Sequence, residues 1–244
     1  MIMSRFISEY LAATDLILHK IAETEQQNLD RAAQLIADAY AAGKHIYIFG
    51  CTHSAILAED VFYRAGAPVF WRPLWGPGMS IAQTPGFLTS AAEHNAQLGA
   101  DVIRCSRIEQ DDVLVVISTS GKNEAPLAVA ETALQKGVRL IAVSSSAYKN
   151  TSPSLWNMQG LLMIDNHVPL GDASVKAGGV TPMGPLSTIA GSFIMHTISA
   201  LAIEKLQAAG ADAPVFLSSN APGGRERNEE LLAREAVREA FLLP

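Results

Sequence analysis

Val113-Leu114-Val115-Val116-Ile117-Ser118-Thr119-Ser120-Gly121-Lys122-Asn123 is the stretch that decides the class of fold. Its apolar run has strand length and no polar alternation, so it reads as a strand buried on both faces. A polar turn follows, and then Leu127, Ala130 and Leu134 recur at helical spacing until Gly137 ends the helix. The same order occurs earlier in the chain. Ile46-Tyr47-Ile48-Phe49 is a short buried strand ending at Gly50, and Ala58, Val61, Phe62 and Ala65 mark a helix closed by Gly66. Arg139-Leu140-Ile141-Ala142-Val143 and Leu161-Leu162-Met163-Ile164 are further strands. Fully apolar strands alternating with helices predict an α/β fold whose parallel sheet is covered on both sides.

Outward from this centre, Ile7, Leu11, Thr14, Leu18 and Ile21 share one helical face. Leu29, Ala32, Ala33, Ile36 and Tyr40 share another after the polar Gln26-Gln27-Asn28, so two helices or one bent helix precede the first strand. Gly43 closes that region. An apolar helix is predicted over Ile189 to Leu206, and Ala233, Ala236, Val237, Ala240 and Phe241 give a last amphipathic helix after Pro222-Gly223-Gly224. The Gly/Pro-rich stretches Pro68 to Gly86 and Pro169 to Pro185 are too long for ordinary connections and are read as loops around a site. No repeat and no shift in charge divides the chain, so residues 1–244 are read as a single domain.

The chain has 244 residues, 49% hydrophobic and 17% charged, which is the composition of a compact globule and excludes disorder. A net charge of −6 offers no general attraction to nucleic acid or to an anionic membrane, so any anion must be held locally. Cys51 and Cys105 lack metal-ligand spacing, and the six histidines are scattered, so no metal and no cofactor is called for. The N-terminus reaches Glu9 before any run fit for a signal peptide, and no run approaches the roughly 18 apolar residues of a membrane span. The expected location is the cytoplasm.

Two turns carry the chemistry. Gly50-Cys51-Thr52-His53-Ser54 and Ser118 to Asn123 each lie where a buried strand passes into a helix, the edge at which such sheets bind ligands. Short hydroxyls together with free helix N–H groups satisfy the oxygens of an anion without fixed positive charge. The first turn reads equally well as an N-capping Ser54, and the second has the plainer reading of a solvated turn with Asn123 as N-cap. Neither turn has the glycines of a dinucleotide fingerprint, and no P-loop occurs.

With these residues the chain resembles the sugar isomerase (SIS) domain proteins, whose strands end in Gly-x-Gly-x-Ser and Ser-x-Ser-Gly. Here the matches are Gly50 to Ser54 and Ser118 to Gly121. Phe62-Tyr63-Arg64-Ala65-Gly66, Gly171-Asp172-Ala173, Gly184 to Thr188 and Pro214 to Asn220 make it similar to a bacterial phosphosugar-binding subfamily related to phosphoheptose isomerase. The resemblance implies a three-layer αβα sandwich with a five-stranded parallel sheet of the flavodoxin-like type. It implies at least a homodimer, with the N-terminal helices (about 4–42) and a C-terminal helix (about 226–241) as interface extensions. Carried onto this chain, Thr52, His53, Ser54, Ser118, Thr119, Ser120 and Asn123 would hold the phosphate of a sugar phosphate, and Asp172 its hydroxyls. Thr52 stands where the family's second glycine usually does, and the familiar isomerase carboxylate falls near Arg64, so that base does not transfer.

The expected reaction is aldose–ketose isomerisation through an enediolate, which needs a base, a proton donor and a stabilised oxyanion. Glu59, one turn past Ser54, Glu93, at the start of an expected helix, and His196, inside the apolar run Phe193 to Ile198, are the candidates. Each has a plainer alternative: a surface carboxylate, a capping residue and a hydrogen-bonded core histidine, respectively. The competing functional readings are a non-catalytic phosphosugar sensor acting through another protein, and an isomerase whose substrate carries another anion such as a sulfonate.

Overall fold

The computed structural model describes residues 5–83, 85–176 and 181–242. Positions 84 and 177–180, inside the two Gly/Pro-rich stretches, lie outside this set, as do the side chains of Phe241 and Leu242. In chain order the elements are α1 (Arg5–Thr24), α2 (Gln26–Ala41), β1 (Ile46–Gly50), α3 (Ala55–Val61), β2 (Trp71–Pro73), α4 (Leu88–Glu93), α5 (Ala96–Arg104) and β3 (Val113–Ile117). They continue with α6 (Glu124–Gln135), β4 (Arg139–Ser144), β5 (Leu161–Asp165), β6 (Ala173–Val175), β7 (Met183–Pro185), α7 (Ser187–Ala208), α8 (Gly224–Ala233) and α9 (Glu235–Leu242).

Strands β2-β1-β3-β4-β5 form one parallel sheet in that order. Side-chain alternation distributes the apolar runs over both faces. Ile46, Ile48, Val113, Val115, Ile141 and Ile164 pack in one core with residues of α1, α2, α3 and α7. Tyr47, Phe49, Leu114, Val116, Leu140 and Ala142 pack in the other with Ile103 of α5 and Ala125, Val129 and Ala133 of α6. Three layers result, as the strand composition requires. A smaller cluster of Val69, Phe216, Leu231 and Val237 fastens α8 and α9 beside the edge strand β2.

Several boundaries differ from the sequence reading for local reasons. β2 lies within the stretch read as loop, because Trp71-Arg72-Pro73 is too short to show a period, and its proline is tolerated on an edge strand. The second Gly/Pro-rich stretch contains the antiparallel pair β6–β7. α3 stops at Val61, because Phe62 is extended and Tyr63 takes a positive φ of 46°. The last amphipathic segment is two helices, divided at the extended Arg234. α1 and α2 are separate helices that meet at Glu25.

α7 is long and apolar enough, by length and composition, to cross a membrane. Here its apolar residues Ala190, Ile194, Ile198 and Ala202 are buried in the core it shares with α2. On the other face, α5 and α6 approach so closely that a Cβ on Gly99 would lie 2.4 Å from the carbonyl oxygen of Ala125. Both partners are helix backbone, so neither side can give way cheaply. Gly99→Ala is therefore expected to destabilise the fold by about 1–3 kcal/mol despite the better helix propensity of alanine. Urea unfolding should show a lower midpoint at an unchanged slope.

Candidate functional site

Gly50 and Ile117 are register partners, so the chain leaves the sheet after β1 and after β3 at neighbouring points. The strand order reverses there, which opens a crevice at the carboxyl ends of the strands. A cavity of about 430 Å³ occupies it. Thr52, His53 and Ser54 from the first turn line it, with Ser118, Thr119, Ser120 and Asn123 from the second. All seven residues expected to hold an anion are thus brought together.

The hydroxyls are arranged as donors. Gly121, at φ +61°, turns its N–H onto Ser118 Oγ at 3.2 Å, and Asn166 Nδ2 donates to Thr119 Oγ1 at 3.2 Å. Both hydroxyls already accept, which leaves their protons for a ligand. Ser120, Asn123, Ser54 and Thr52 make no side-chain hydrogen bond among the described residues. Neither Ser54 nor Asn123 caps its helix through its side chain, so the capping reading of these two residues does not hold and the first turn of α6 has no side-chain cap. Thr52 adopts φ 56°, a left-handed conformation that is strained for a β-branched residue, held by its N–H bond to Met79 O at 2.7 Å. His53 is exposed at the rim.

Asp172 also lines the cavity, but its carboxylate is engaged with the start of α7. Oδ1 accepts from Leu186 N and Ser187 N, both at 2.9 Å, and Oδ2 accepts from Ser187 Oγ at 2.5 Å. It works as a long-range N-cap, tying the turn before β6 to α7. Ser187 and Thr188, from the quoted Gly184 to Thr188 stretch, and Tyr148, which the sequence did not mark, also line the wall. Tyr148 accepts from Gly171 N at 2.9 Å.

The three acid–base candidates are not assembled in one place. Glu93 lines the cavity, although it ends α4 instead of beginning a helix. It also lies near Cys51, whose buried thiol is pushed up to about 12, first by burial and then by the Glu93 charge, which makes it a poor nucleophile. Glu59 accepts from Ser80 Oγ at 3.1 Å and lines a separate pocket beside Trp75 and Met79. His196 stands farther along α7 in an open groove with Leu18 and Phe193, its Nε2 2.9 Å from Asp60 Oδ2. Among the described residues no group of three or more His, Cys, Asp or Glu is placed to hold a metal ion.

Asp60 also accepts from Ser192 Oγ at 2.7 Å and pairs with Arg64. Burial pushes its pKa up, but the bonds from Ser192 and His196 and the nearby positive charges outweigh this, and the net shift is downward. A depressed carboxylate pKa contributes stability that is present above the unfolded value of 3.8 and is lost as pH falls through the folded one. Asp60→Asn is accordingly expected to cost about 1 kcal/mol at neutral pH, allowing for partial exposure. The gap between wild type and variant should narrow as urea titrations move below about pH 4.

Comparison with known proteins agrees with this architecture. Residues 9–145 match the SIS domain family. The UPF0309 protein of Shouchella clausii is 34% identical over 237 residues, covering 94% of this chain and 96% of the relative. The UPF0309 protein of Brucella anthropi is 34% identical over 245 residues and 99% of each chain. Among solved structures, phosphoheptose isomerase from Neisseria gonorrhoeae superposes with a TM-score of 0.53 at 15% identity, covering 80% of this chain and 96% of that one. The NanR protein of Vibrio vulnificus, solved in complex with ManNAc-6P, gives 0.50 at 14% identity, covering 93% and 69%. The fold, the two hydroxyl turns and these likenesses together place the chain in the SIS-domain family, among the UPF0309 proteins.

Proposed function

We propose that the protein binds a phosphorylated sugar in the cavity between the two hydroxyl turns and interconverts its aldose and ketose forms. The observation that carries the reading is the convergence of uncommitted donors, Ser54, Ser118, Thr119, Ser120 and Asn123, on one crevice that also contains Glu93. The donors and the first-turn N–H groups of α6 suit the phosphate oxygens. Phosphoheptose isomerase and the ManNAc-6P complex on the same fold support this choice of ligand.

In the reaction the Glu93 carboxylate removes the proton from the carbon beside the carbonyl and returns it to the neighbouring carbon. His53 passes a proton between the two substrate oxygens, and the turn hydroxyls stabilise the enediolate between. A sensor without catalysis is the second reading, supported by the placement of Glu59 and His196 in other pockets. The hydroxyls accommodate a terminal sulfonate by the same donors. Cys51 and Cys105 are free thiols, which suits a reducing cytoplasm.

Thermal-shift screening of sugar phosphates should identify a ligand, and Ser120→Asp should abolish its effect while the protein stays folded. In deuterated solvent the wild type should exchange the substrate C–H proton, and Glu93→Gln should slow this at least about 10²-fold. Tight binding with no exchange across the panel would replace the isomerase by the sensor.

A homodimer completes this picture. Ile7 and Leu11 of α1 are half exposed and continue toward Leu18 and the open α7 groove beside Phe193, an apolar surface that a second copy would cover. Sedimentation should give a dimer for the wild type and a monomer for Leu11→Glu.

A further inference from the structure

At the opposite ends of the same strands lies a second cavity, of about 370 Å³. Tyr40 at the end of α2, His45 before β1, Phe70 and Arg72 around β2, and Ala236 of α9 contribute to its wall. β1 separates it from the hydroxyl turns by roughly 13 Å of strand. Its composition is different in kind, because two cations, Lys44 and the guanidinium of Arg72, line it together with one carboxylate, Asp212.

Arg72 is only 5% exposed. Side-chain alternation on β2 sends Trp71 into the core and Arg72 to the other face, opposite Tyr47 in the β1–β2 register. Of its five N–H donors, one bonds Ala236 O at 3.0 Å, and among the described residues no carboxylate lies within 4 Å. Three carboxylates at this end are committed elsewhere, and a fourth, Glu109, reaches His45 and Tyr47 only through its charge. Asp112 accepts from His45 N and Glu109 N, Asp212 pairs with Arg234, and Glu239 lies 3.9 Å from Arg107. Tyr47 Oη is buried without a hydrogen-bond partner among the described residues. Burial pushes that phenol up to about 12 against the pull of Arg72, so it stays a neutral donor.

A buried guanidinium without a counter-charge is costly, and a nearly free fork of donors matches a carboxylate or phosphate. We propose that this cavity is a second ligand site, which takes a small molecule bearing one oxyanion, with the anion on Arg72 and the remainder against Tyr40 and Phe70. The cavity is within the size range of small-molecule sites and already has an aromatic wall, in which Tyr40 and Phe70 lie 5.6 Å apart between ring centroids.

The test uses inorganic phosphate on the full chain and reads backbone amide exchange, because the two cavities report through different peptides. Saturating phosphate is expected to slow exchange in 40–46 and 234–238, and Arg72→Met should abolish that protection while any protection of 118–124 remains. Arg72→Lys, which keeps the charge and loses the fork, should fold and weaken phosphate binding at this site at least 10-fold. Absence of protection at 40–46 and 234–238 in the wild type overturns the proposal, as does protection that survives in either variant at full strength. A silent 118–124 segment would count against the hydroxyl-turn reading alone.

Discussion

Parallel pairing between β1 and β3 sets Gly50 beside Ile117, and the functional geometry depends on that contact. Because the neighbouring strands are added outward on both sides, the connections after β1 and β3 diverge to opposite faces and leave an open crevice between them. The crevice needs no cleft between domains. It is maintained by strands with no exposed face, such as Val113 to Ile117, whose burial fixes the positions at which both turns begin. A one-residue slip in this register would invert every side chain of β3 between the two cores.

Most of this arrangement was legible in the sequence, because the signals were long and redundant. Apolar runs ending in hydroxyls give the strand, its direction and the turn that follows. Short elements did not carry such signals: β2 is three residues long, and β6 and β7 pair across a Gly/Pro-rich stretch. Two of the acid–base candidates line other pockets for reasons of helical geometry. Glu59 is five residues past Ser54, which at about 100° per residue turns it well away from the turn that holds Ser54. His196 is eight residues past Thr188, about 12 Å along the helix, and lines a groove that shares Thr188 with the cavity. Glu93 reaches the cavity wall through tertiary proximity to Cys51 in the β1 turn, which no local pattern encodes.

The two ends of the sheet present hydrogen-bond donors in opposite ways. At the carboxyl end, neutral donors line the crevice together with Glu93 and Asp172, and His53 is the one basic side chain among its described lining residues. At the amino end, a single buried guanidinium dominates. Dipolar donors impose direction, since each N–H or O–H must find its own oxygen. A guanidinium supplies charge as well, and its planar fork prefers a flat or bidentate partner. With a net charge of −6 in the whole chain, neither end relies on long-range attraction.

The engagement of Asp172 with α7 also limits what a ligand can say to it. An ionised carboxylate offers about four lone-pair positions and donates nothing. Leu186 N, Ser187 N and Ser187 Oγ occupy three of them. One acceptor position is left, on Oδ2, so a hydroxyl that met Asp172 would have a single place to put its proton. A vicinal diol gripped by both oxygens, the usual way a carboxylate recognises sugars, would have to strip α7 of its cap first.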